Sequence, residues 1–319
     1  MIRSILILVL IVLGIVSGHC QDHTFSVAKD GSGDFKTVQE AINAVPDYRK
    51  NRTVIAIKNG IYKEKLTLPA SKTNVTFRGE EAEMTILTYD DYASKKNRFG
   101  EEMGTTGSSS FYVFGDGFQA ENITFENSSG PVGQAVAVRI DGDLVTFTNC
   151  RFLGFQDTLY PHGEKSRQHF KKCYIEGTVD FIFGWSTAVF EDCTIFCKKG
   201  GGYVTAASTL ETTTLGFIFI NCRITGDAPA NSFYLGRPWR PFAKTVFINC
   251  FMDKVIKPEG WHNWNKPDAE KTSFYGEYNS SGPGANTTSR VTWSHILSEE
   301  EVKNYTIEKI VREWKPESR

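Results

Sequence analysis

Two acidic residues in the middle of the sequence stand among apolar and amide side chains. Asp157 lies within the segment Gln156 to Tyr160, and Asp180 begins the segment Asp180 to Gly184. Removing a carboxylate from water costs several kcal/mol unless a partner compensates, so this pair indicates acid–base or nucleophilic chemistry. Asp also occurs in turns for backbone reasons, and the two residues alone leave both interpretations open.

A repeated motif of Phe, two further residues and Cys places the two Asp residues in equivalent surroundings. Its cysteines are Cys150, Cys173, Cys193, Cys222 and Cys250, at steps of 23, 20, 29 and 28 residues. Such a period suits one strand-rich unit per repeat. Short runs of Val, Ile, Phe and Thr, broken by Gly, Asn and Asp, indicate strands. Strands that recur once per repeat predict an all-β fold, a single-stranded right-handed parallel β-helix.

The repeat also predicts which side chains meet. Asp157 lies seven residues after Cys150, Asp180 lies seven after Cys173, and Gln134 lies 23 residues before Asp157. We therefore expect Gln134, Asp157 and Asp180 to share one phase on three successive coils. Adjacent strands are about 4.8 Å apart, so these residues would form one compact site on one face.

Helical patterns occur only near the two ends. A helix is predicted from Thr37 to Val45, where apolar residues recur at i, i+3, i+4 and i+7 before Pro46. This helix would cap the exposed strand edges of the first coil. Ser298 to Val302 predicts the start of a helical tail on the outside of the coils. The polar segment Tyr89 to Ser110 predicts a loop that forms the rim of a cleft.

Composition and the N-terminus limit the class of protein. The chain has 319 residues, 40% of them hydrophobic, and a formal net charge of -1. This is ample for a large core and gives no electrostatic case for binding nucleic acid. Residues 1–20 predict a secretory signal peptide, whose apolar run from Ile5 to Val16 is too short to span a bilayer. We expect a secreted domain of residues 21–319 that has no membrane association after cleavage.

The cysteines and the glycosylation motifs fit secretion. Six cysteines remain once Cys20 is removed, and they form either disulfides or buried free thiols, since spacing alone does not decide. A zinc site is disfavoured because paired C-x-x-C spacing and clustered His are lacking. Two of the seven N-x-S/T motifs, at Asn74 and Asn122, are discounted because they precede predicted strands. The seven motifs begin at Asn51, Asn74, Asn122, Asn127, Asn279, Asn286 and Asn304.

Six motifs, including the two that contain the Asp residues, occur in a fixed order along the chain. They are Asp30 to Gln39, Gly60 to Glu64, Gln134 to Ala137, Gln156 to Leu159, Asp180 to Gly184 and Leu235 to Trp239. Together they resemble the pectinesterase, or pectin methylesterase, family of plants and microbes over nearly the whole chain after residue 20. The resemblance implies a right-handed parallel β-helix. It also implies a secreted enzyme that hydrolyses the C6 methyl esters of homogalacturonan, releases methanol and modifies the plant cell wall.

The resemblance also implies a role for each polar residue of the site. Asp180 would be the nucleophile, and Asp157 the general acid that protonates methanol and then the base that activates water. Arg237 would keep Asp180 ionised and contact the substrate. Gln134 and Gln156 would stabilise the oxyanion of the tetrahedral intermediate, and Gln134 would also contact the substrate. Such a pair of carboxylates needs different pKa values, which unequal partners can supply.

Substrate contacts and partners follow from the same resemblance. We expect Trp239, Tyr160, Phe183, Trp261 or Trp264, and Thr105 or Thr106 to contact pectin, the homogalacturonan substrate. The scheme needs no metal and no cofactor, and a monomer is expected. A proteinaceous pectinesterase inhibitor is a plausible partner. Arg139, outside these motifs, is predicted to pair with a carboxylate in a structural role.

The sequence departs from the family pattern at two places. Gly133 stands where the family often has His, and Ala207 to Thr209 stand where it often has Gln-Gly-Arg. These departures affect the expected substrate pattern, processivity or pH optimum rather than the chemistry. The chain also matches the short form of the family, which lacks the inhibitor-like N-terminal region.

Two other functions fit parts of the pattern. A calcium-dependent pectin lyase or a glycosidase would share the β-helix, but calcium dependence or release of new reducing ends would reveal them. A silent wall-binding protein would bind pectin equally well after Asp180→Asn. Function has to be argued from the site, because the fold alone hosts several activities.

Overall fold

Short parallel strands wind into a right-handed β-helix of three sheets in the computed structural model, which describes residues 23–310. The predicted signal peptide lies outside these residues. The first sheet has 11 strands, in the order β1 His23–Val27, β2 Thr53–Ile57, β5 Val75–Gly79, β8 Gln119–Glu121, β11 Val145–Thr148, β14 Arg167–Lys171, β17 Thr187–Glu191, β20 Phe217–Ile220, β23 Lys244–Ile248, β25 Phe274–Tyr278 and β26 His295–Ile296.

The other two sheets follow the same succession of coils. The second sheet has eight strands, β3 Gly60–Lys63, β6 Thr85–Tyr89, β9 Thr124–Asn127, β12 Arg151–Leu153, β15 Tyr174–Gly177, β18 Thr194–Cys197, β21 Arg223–Gly226 and β24 Phe251–Met252. The third sheet has seven, β4 Leu66–Leu68, β7 Phe111–Val113, β10 Val138–Ile140, β13 Leu159–Pro161, β16 Ile182–Gly184, β19 Tyr203–Ala207 and β22 Tyr234–Gly236. The central coils contribute one strand to each of the three sheets, and strands of successive coils pair in parallel, which confirms the predicted β-helix.

The Phe residues of the repeated motif form the core of the helix. Phe147, Phe170, Phe190, Phe219 and Phe247 are register partners on successive strands of the first sheet. Their rings stack with centroids 5.2, 4.7, 4.4 and 4.4 Å apart. All five are fully buried. One aromatic layer therefore runs through five coils and ties their register together.

The residue before each motif cysteine makes a left-handed turn. The φ angles of Asn149, Lys172, Asp192, Asn221 and Asn249 lie between 51 and 55°. Asn and Asp tolerate this conformation better than most residues, which explains their frequency at this position. The turn directs the chain from the first sheet into the second at the same place in each of these five coils.

The motif cysteines are buried free thiols, so the disulfide alternative is not realised among the described residues. All six cysteines between residues 23 and 310 are free and buried. The Cys173 backbone amide lies 3.4 Å from the Cys193 sulfur on the next coil. Burial raises the pKa of the Cys150 thiol to about 12, which keeps it protonated. These cysteines therefore pack as small apolar side chains.

The predicted capping helix is α1, Val38–Ala44. Thr37 and Glu40 form a capping box at its start, and Val38, Ala41 and Ile42 are buried against the first coils. The Glu64 carboxylate accepts hydrogen bonds from the first two helical amides, at 2.9 and 3.0 Å. The apolar face of α1 thus closes the N-terminal end of the core, as the sequence pattern predicts.

The remaining helices are short. They are α2 Gly104–Gly107, α3 Ala269–Thr272, a 3-10 turn Thr287–Ser289, α4 Glu299–Val302 and α5 Ile307–Ile310. Ser298 caps α4, and Val302, Tyr305, Ile307 and Ile310 pack against the outside of the first sheet. The predicted C-terminal helical tail is therefore confirmed. No helix within residues 23–310 is long and apolar enough to cross a membrane.

Replacing a central ring of the aromatic layer should destabilise the protein. Phe190 is fully buried, and Phe190→Ala is expected to lower the free energy of unfolding by about 3 to 5 kcal/mol because it leaves a cavity. Urea denaturation followed by circular dichroism would measure this. Phe99→Ala is the matched control, because Phe99 is 72% exposed and its loss should change the unfolding free energy little. Equal effects of the two variants would contradict a core role for the layer.

Candidate active site

A cleft of about 450 Å³ opens on the outer face of the third sheet. Polar side chains from four coils meet apolar and aromatic side chains there, and α2 forms part of its rim. The cleft is lined by Gly104, Thr105, Thr106, Gln134, Gln156, Asp157, Tyr160, Asp180, Phe183, Ala206, Arg237, Trp239 and Trp264. The structure thus brings together all but one of the site residues predicted from the sequence.

The two Asp residues occupy equivalent positions on adjacent coils. Each lies two residues before a strand of the third sheet, and those strands pair in a register that matches Leu159 with Ile182. The φ angles of Asp157 and Asp180 are +63° and +51°. A left-handed conformation costs a residue other than Gly of order 1 to 3 kcal/mol, and such strain is common at functional sites. Backbone bonds hold the turns, from Asp157 N to Val179 O and from Asp180 N to Tyr203 O, both 3.0 Å.

The predicted phase of Gln134 is wrong by one residue. Gln134 pairs with Gln156 in a parallel bridge, and Asp157 is the next residue. The coil from Gln134 to its partner contains 22 residues, one fewer than the 23 that separate Asp157 from Asp180. The left-handed turn at Asp157 interrupts the alternation of side chains along the strand, so Gln156 and Asp157 both face the cleft.

Arg237 binds one of the two carboxylates. Its Nε and one terminal nitrogen donate to the two oxygens of Asp180, at 2.9 and 2.7 Å. This two-point bond fixes the carboxylate plane and favours the ionised form. The guanidinium is sandwiched between the rings of Tyr203 and Trp264, whose centroids lie 3.8 and 3.7 Å from its carbon.

The two carboxylates have different electrostatic environments. Burial, together with the negative charge of Asp180, raises the pKa of Asp157 well above its ordinary value. No residue of the described chain donates a hydrogen bond to the Asp157 side chain. Burial also raises the pKa of Asp180, but the Arg237 guanidinium opposes this effect. Asp157 therefore holds a proton more readily than Asp180, which is the division of states that an acid and a nucleophile require.

Gln134 and Gln156 place two neutral amides beside the carboxylates. Both line the cleft on adjacent coils. Within residues 23–310, neither side-chain amide is engaged in a hydrogen bond, so both can donate to a ligand. Amide donors can stabilise a developing negative charge without adding a net positive charge that would compete with Arg237 for Asp180.

Aromatic rings form the floor and one wall of the cleft. The rings of Tyr160 and Phe183 stack with centroids 4.0 Å apart. Trp239 lies beside them, with its ring centroid 6.4 Å from Tyr160 and 5.9 Å from Phe183. Thr105, in α2, lies on the rim. A stacked apolar surface beside polar donors is suited to the face of a sugar ring.

Trp261 does not line the cleft, contrary to one alternative of the sequence prediction. It is 1% exposed, its ring stacks on Tyr275 at 4.3 Å, and its Nε1 donates to Glu277 at 3.2 Å. Trp264 takes the cleft position instead. A left-handed φ of +56° at Trp264 turns the chain there, which the residue types do not reveal.

Two residues outside the cleft complete the comparison with the sequence. Arg139 donates to the Asp141 carboxylate at 2.7 and 2.9 Å, so its predicted pairing with a carboxylate is confirmed. Tyr203, which packs on Arg237, was missed by sequence reasoning because no motif identified it.

Among residues 23–310, no group of three or more His, Cys, Asp or Glu side chains could hold a metal ion.

Comparison with known proteins gives the family. The family model described as Pectinesterase matches residues 24–313. Pectinesterase 31 of Arabidopsis thaliana is 45% identical over 285 residues, which cover 88% of this chain and 89% of that protein. A probable pectinesterase/pectinesterase inhibitor of the same plant, number 64, is 41% identical, and the match covers 95% of this chain but 53% of that protein. The chain thus spans about half the length of the relatives whose names include an inhibitor.

Solved structures agree with this assignment. A pectin methylesterase from carrot has a TM-score of 0.82 and 39% identity, with 90% of this chain and 92% of that chain covered. A pectin methylesterase in complex with a hexasaccharide has a TM-score of 0.81 and 30% identity, with 94% and 100% covered. Because the family model spans most of the chain and these relatives share its fold, the chain belongs to the pectinesterase family of carboxylic ester hydrolases.

Proposed function

We propose that the protein hydrolyses the C6 methyl esters of homogalacturonan, with Asp180 as the nucleophile and Asp157 as the acid and base. The observation that carries this proposal is the unequal pairing of the carboxylates. Arg237 binds both oxygens of Asp180, whereas Asp157 is buried beside them without a donor from the described chain. An ionised nucleophile therefore lies next to a carboxyl group that retains a proton.

In the first half of the reaction, an oxygen of Asp180 attacks the ester carbonyl carbon. The carbonyl oxygen becomes an oxyanion, and the amides of Gln134 and Gln156 donate to it. The tetrahedral intermediate collapses as the bond to the methoxy oxygen breaks. Asp157 gives its proton to that oxygen, and methanol leaves. The products of this half are methanol, an acyl anhydride on Asp180 and an ionised Asp157.

In the second half, Asp157 takes a proton from a water molecule, whose oxygen attacks the acyl carbon. Collapse of this intermediate breaks the bond to Asp180 and restores its carboxylate under Arg237. The galacturonate unit leaves with a free carboxyl group, which ionises at neutral pH, and Asp157 is again protonated. Each step uses side chains and water, so the scheme calls for neither a metal nor a cofactor.

The cleft supports a polysaccharide substrate. The stacked rings of Tyr160 and Phe183, with Trp239 beside them, offer a flat surface next to the carboxylates. The solved relative in complex with a hexasaccharide shows that an enzyme of this fold holds a chain of sugars. We further propose that Thr105 contacts the substrate. Gly133 and the segment Ala207 to Thr209 adjoin the lining residues Gln134 and Ala206, and we expect them to affect the preferred methylation pattern.

Location and partners follow from the N-terminal segment and the relatives. We propose that residues 1–20 direct secretion and that the monomeric enzyme acts on pectin in the plant cell wall. The names of several relatives combine pectinesterase with a pectinesterase inhibitor. An inhibitor of the same kind, bound at the cleft, is therefore a proposed partner.

Replacing either carboxylate should abolish most methanol release. Asp180→Asn removes the nucleophile and should lower kcat at least about a thousandfold. Asp157→Asn should lower it by about 10² to 10⁴, the usual contribution of general acid–base catalysis. Methanol released from highly methylated pectin by the purified protein is the measurement. Asp192→Asn, in an exposed turn of the coil stack, is the matched control and should retain full activity.

The same assay separates the rival functions. New reducing ends without methanol would indicate a glycosidase, and loss of activity with a chelator would indicate a metal-dependent lyase. Pectin binding without methanol release at several pH values would contradict the enzyme proposal. It would favour a silent binding protein.

Removing the charge of Asp157 and removing that of Asp180 should change the stability of the fold in opposite directions. A carboxyl group whose pKa is higher in the folded state destabilises the fold as pH rises from its unfolded pKa of about 3.9 towards its folded pKa. Asp157→Asn should therefore raise the melting temperature at pH 7, and this gain should disappear near pH 4. Each unit of pKa difference corresponds to about 1.4 kcal/mol. Burial raises the pKa of Asp180 as well, but Asp180→Asn also leaves the largely buried Arg237 charge without a partner, and this larger cost should lower the melting temperature at pH 7.

Thermal unfolding followed by circular dichroism at pH 4 and pH 7 would test both variants. An Asp157→Asn variant that is no more stable than the wild type at pH 7 would contradict the raised pKa of Asp157.

The seven glycosylation motifs are not equivalent in the structure. We propose that glycans attach at Asn51, Asn286 and Asn304, which are exposed. Asn127 is buried, and its amide donates to three backbone carbonyls, at 2.8 to 3.2 Å, so it is expected to remain unmodified. Mass spectrometry of peptides from the secreted protein, after enzymatic deglycosylation in heavy-oxygen water, would locate the sites. A glycan at Asn127 would contradict the prediction.

A further inference from the structure

Tyr203 contacts both members of the Arg237–Asp180 ion pair. Its ring lies 3.8 Å from the Arg237 guanidinium carbon, on the face opposite Trp264. Its backbone carbonyl accepts the hydrogen bond from the Asp180 amide at 3.0 Å. Trp264 belongs to the cleft lining and Tyr203 does not, so Trp264 covers the face of the guanidinium towards the substrate and Tyr203 the face away from it.

His262 and Tyr234 form a second layer behind Tyr203. A hydrogen bond of 3.2 Å joins the Tyr203 hydroxyl and His262 Nδ1. The ring of Tyr234 stacks on Tyr203 and on His262, with centroids 5.3 and 5.2 Å apart. The His262 backbone amide donates to Gly236 O, in the residue before Arg237. The stack is therefore anchored to the same stretch of chain that carries the arginine.

The charges around this layer favour a neutral His262. Burial and the positive charges of Arg237 and Lys257 lower the pKa of His262. A neutral ring can accept the proton of the Tyr203 hydroxyl, which fixes the rotation of that hydroxyl. It also leaves Arg237 as the positive charge that faces Asp180.

We propose that Tyr203, oriented by His262, is a positioning residue that holds the Arg237 guanidinium in the plane required for its two-point bond to the nucleophile Asp180. This rests on the proposed role of Asp180. A guanidinium can tilt about its side-chain torsions, and a tilt of the plane would break one of the two bonds. Rings on both faces prevent that tilt, and a desolvated cation–ring contact of this kind is among the stronger ones.

Tyr203→Leu tests the ring. This substitution should lower kcat roughly 30-fold, the equivalent of one desolvated cation–ring contact, with KM within about threefold. The acidic limb of the pH–rate profile should move to higher pH, because a loosened Arg237 stabilises ionised Asp180 less. Arg237 acts directly on the Asp180 carboxylate. The negative charge of Asp180 in turn adds to the effect of burial that raises the pKa values of Asp157 and Tyr275.

Two matched variants separate positioning from general packing. Tyr203→Phe keeps the ring and loses the hydroxyl, so kcat should stay within about tenfold of the wild type and the acidic limb should stay close to it. Tyr234→Leu removes a ring that stacks on Tyr203 without contact to Arg237, and it should leave both kcat and the pH profile unchanged. A shift of the acidic limb in Tyr234→Leu equal to that in Tyr203→Leu would overturn the proposal.

A double-mutant cycle tests the part of His262. His262→Phe and Tyr203→Phe each remove the same hydrogen bond, so the double variant should lose no more activity than either single variant. Additive losses would show that His262 does not act through Tyr203.

Direct titration of Asp180 gives a readout that does not depend on turnover. Carbon-13 NMR of Asp-labelled protein, with the Asp180 signal assigned from Asp180→Asn, should show a higher pKa for Asp180 in Tyr203→Leu than in the wild type. Tyr203→Met, which retains apolar volume without a ring, replaces Tyr203→Leu if that variant fails to fold. An unchanged titration in a folded variant would overturn the inference. An inactive wild type with a shifted titration would instead contradict the proposed function alone.

Discussion

The parallel register between successive coils is the constraint on which the rest of the structure depends. Backbone bonds across each sheet repeat at about 4.8 Å, and this spacing brings residues far apart in sequence onto neighbouring strands. Asp157 and Asp180 come from two such neighbouring coils. The stacked Phe layer locks the same register from inside the helix. A shift of a single residue between coils would separate the two carboxylates and expose part of the core.

Within that frame, one arginine makes two similar carboxylates chemically different. Both Asp residues are buried, adopt a left-handed backbone conformation and face the same cleft. The difference between them is the guanidinium of Arg237, which reaches Asp180 from a coil further along the chain. A single positive side chain is thus enough to give the two carboxylates different roles, because the backbone geometry can stay the same in both coils.

Most of the fold and nearly all residues of the site could be predicted from the sequence, whereas the exact alignment of those residues could not. The repeated Phe and Cys residues reveal the coils because identical residues stack in them. Gln134 was assigned the wrong partner because its coil is one residue shorter than the next. The choice between Trp261 and Trp264 depends on a local backbone turn. The contact between Tyr203 and His262 joins residues 59 apart and follows only from the complete register.

The buried free cysteines have a consequence for how the chain must be made. In the folded chain the six thiols between residues 23 and 310 are buried, which shields them from oxidants. A nascent chain on the proposed export route would carry the same six thiols exposed, in a compartment that promotes pairing. A bridge between cysteines of coils that are not adjacent would hold those coils out of register. Successful export would thus require the coils to stack, and so to bury each sulfur, faster than the thiols are oxidised.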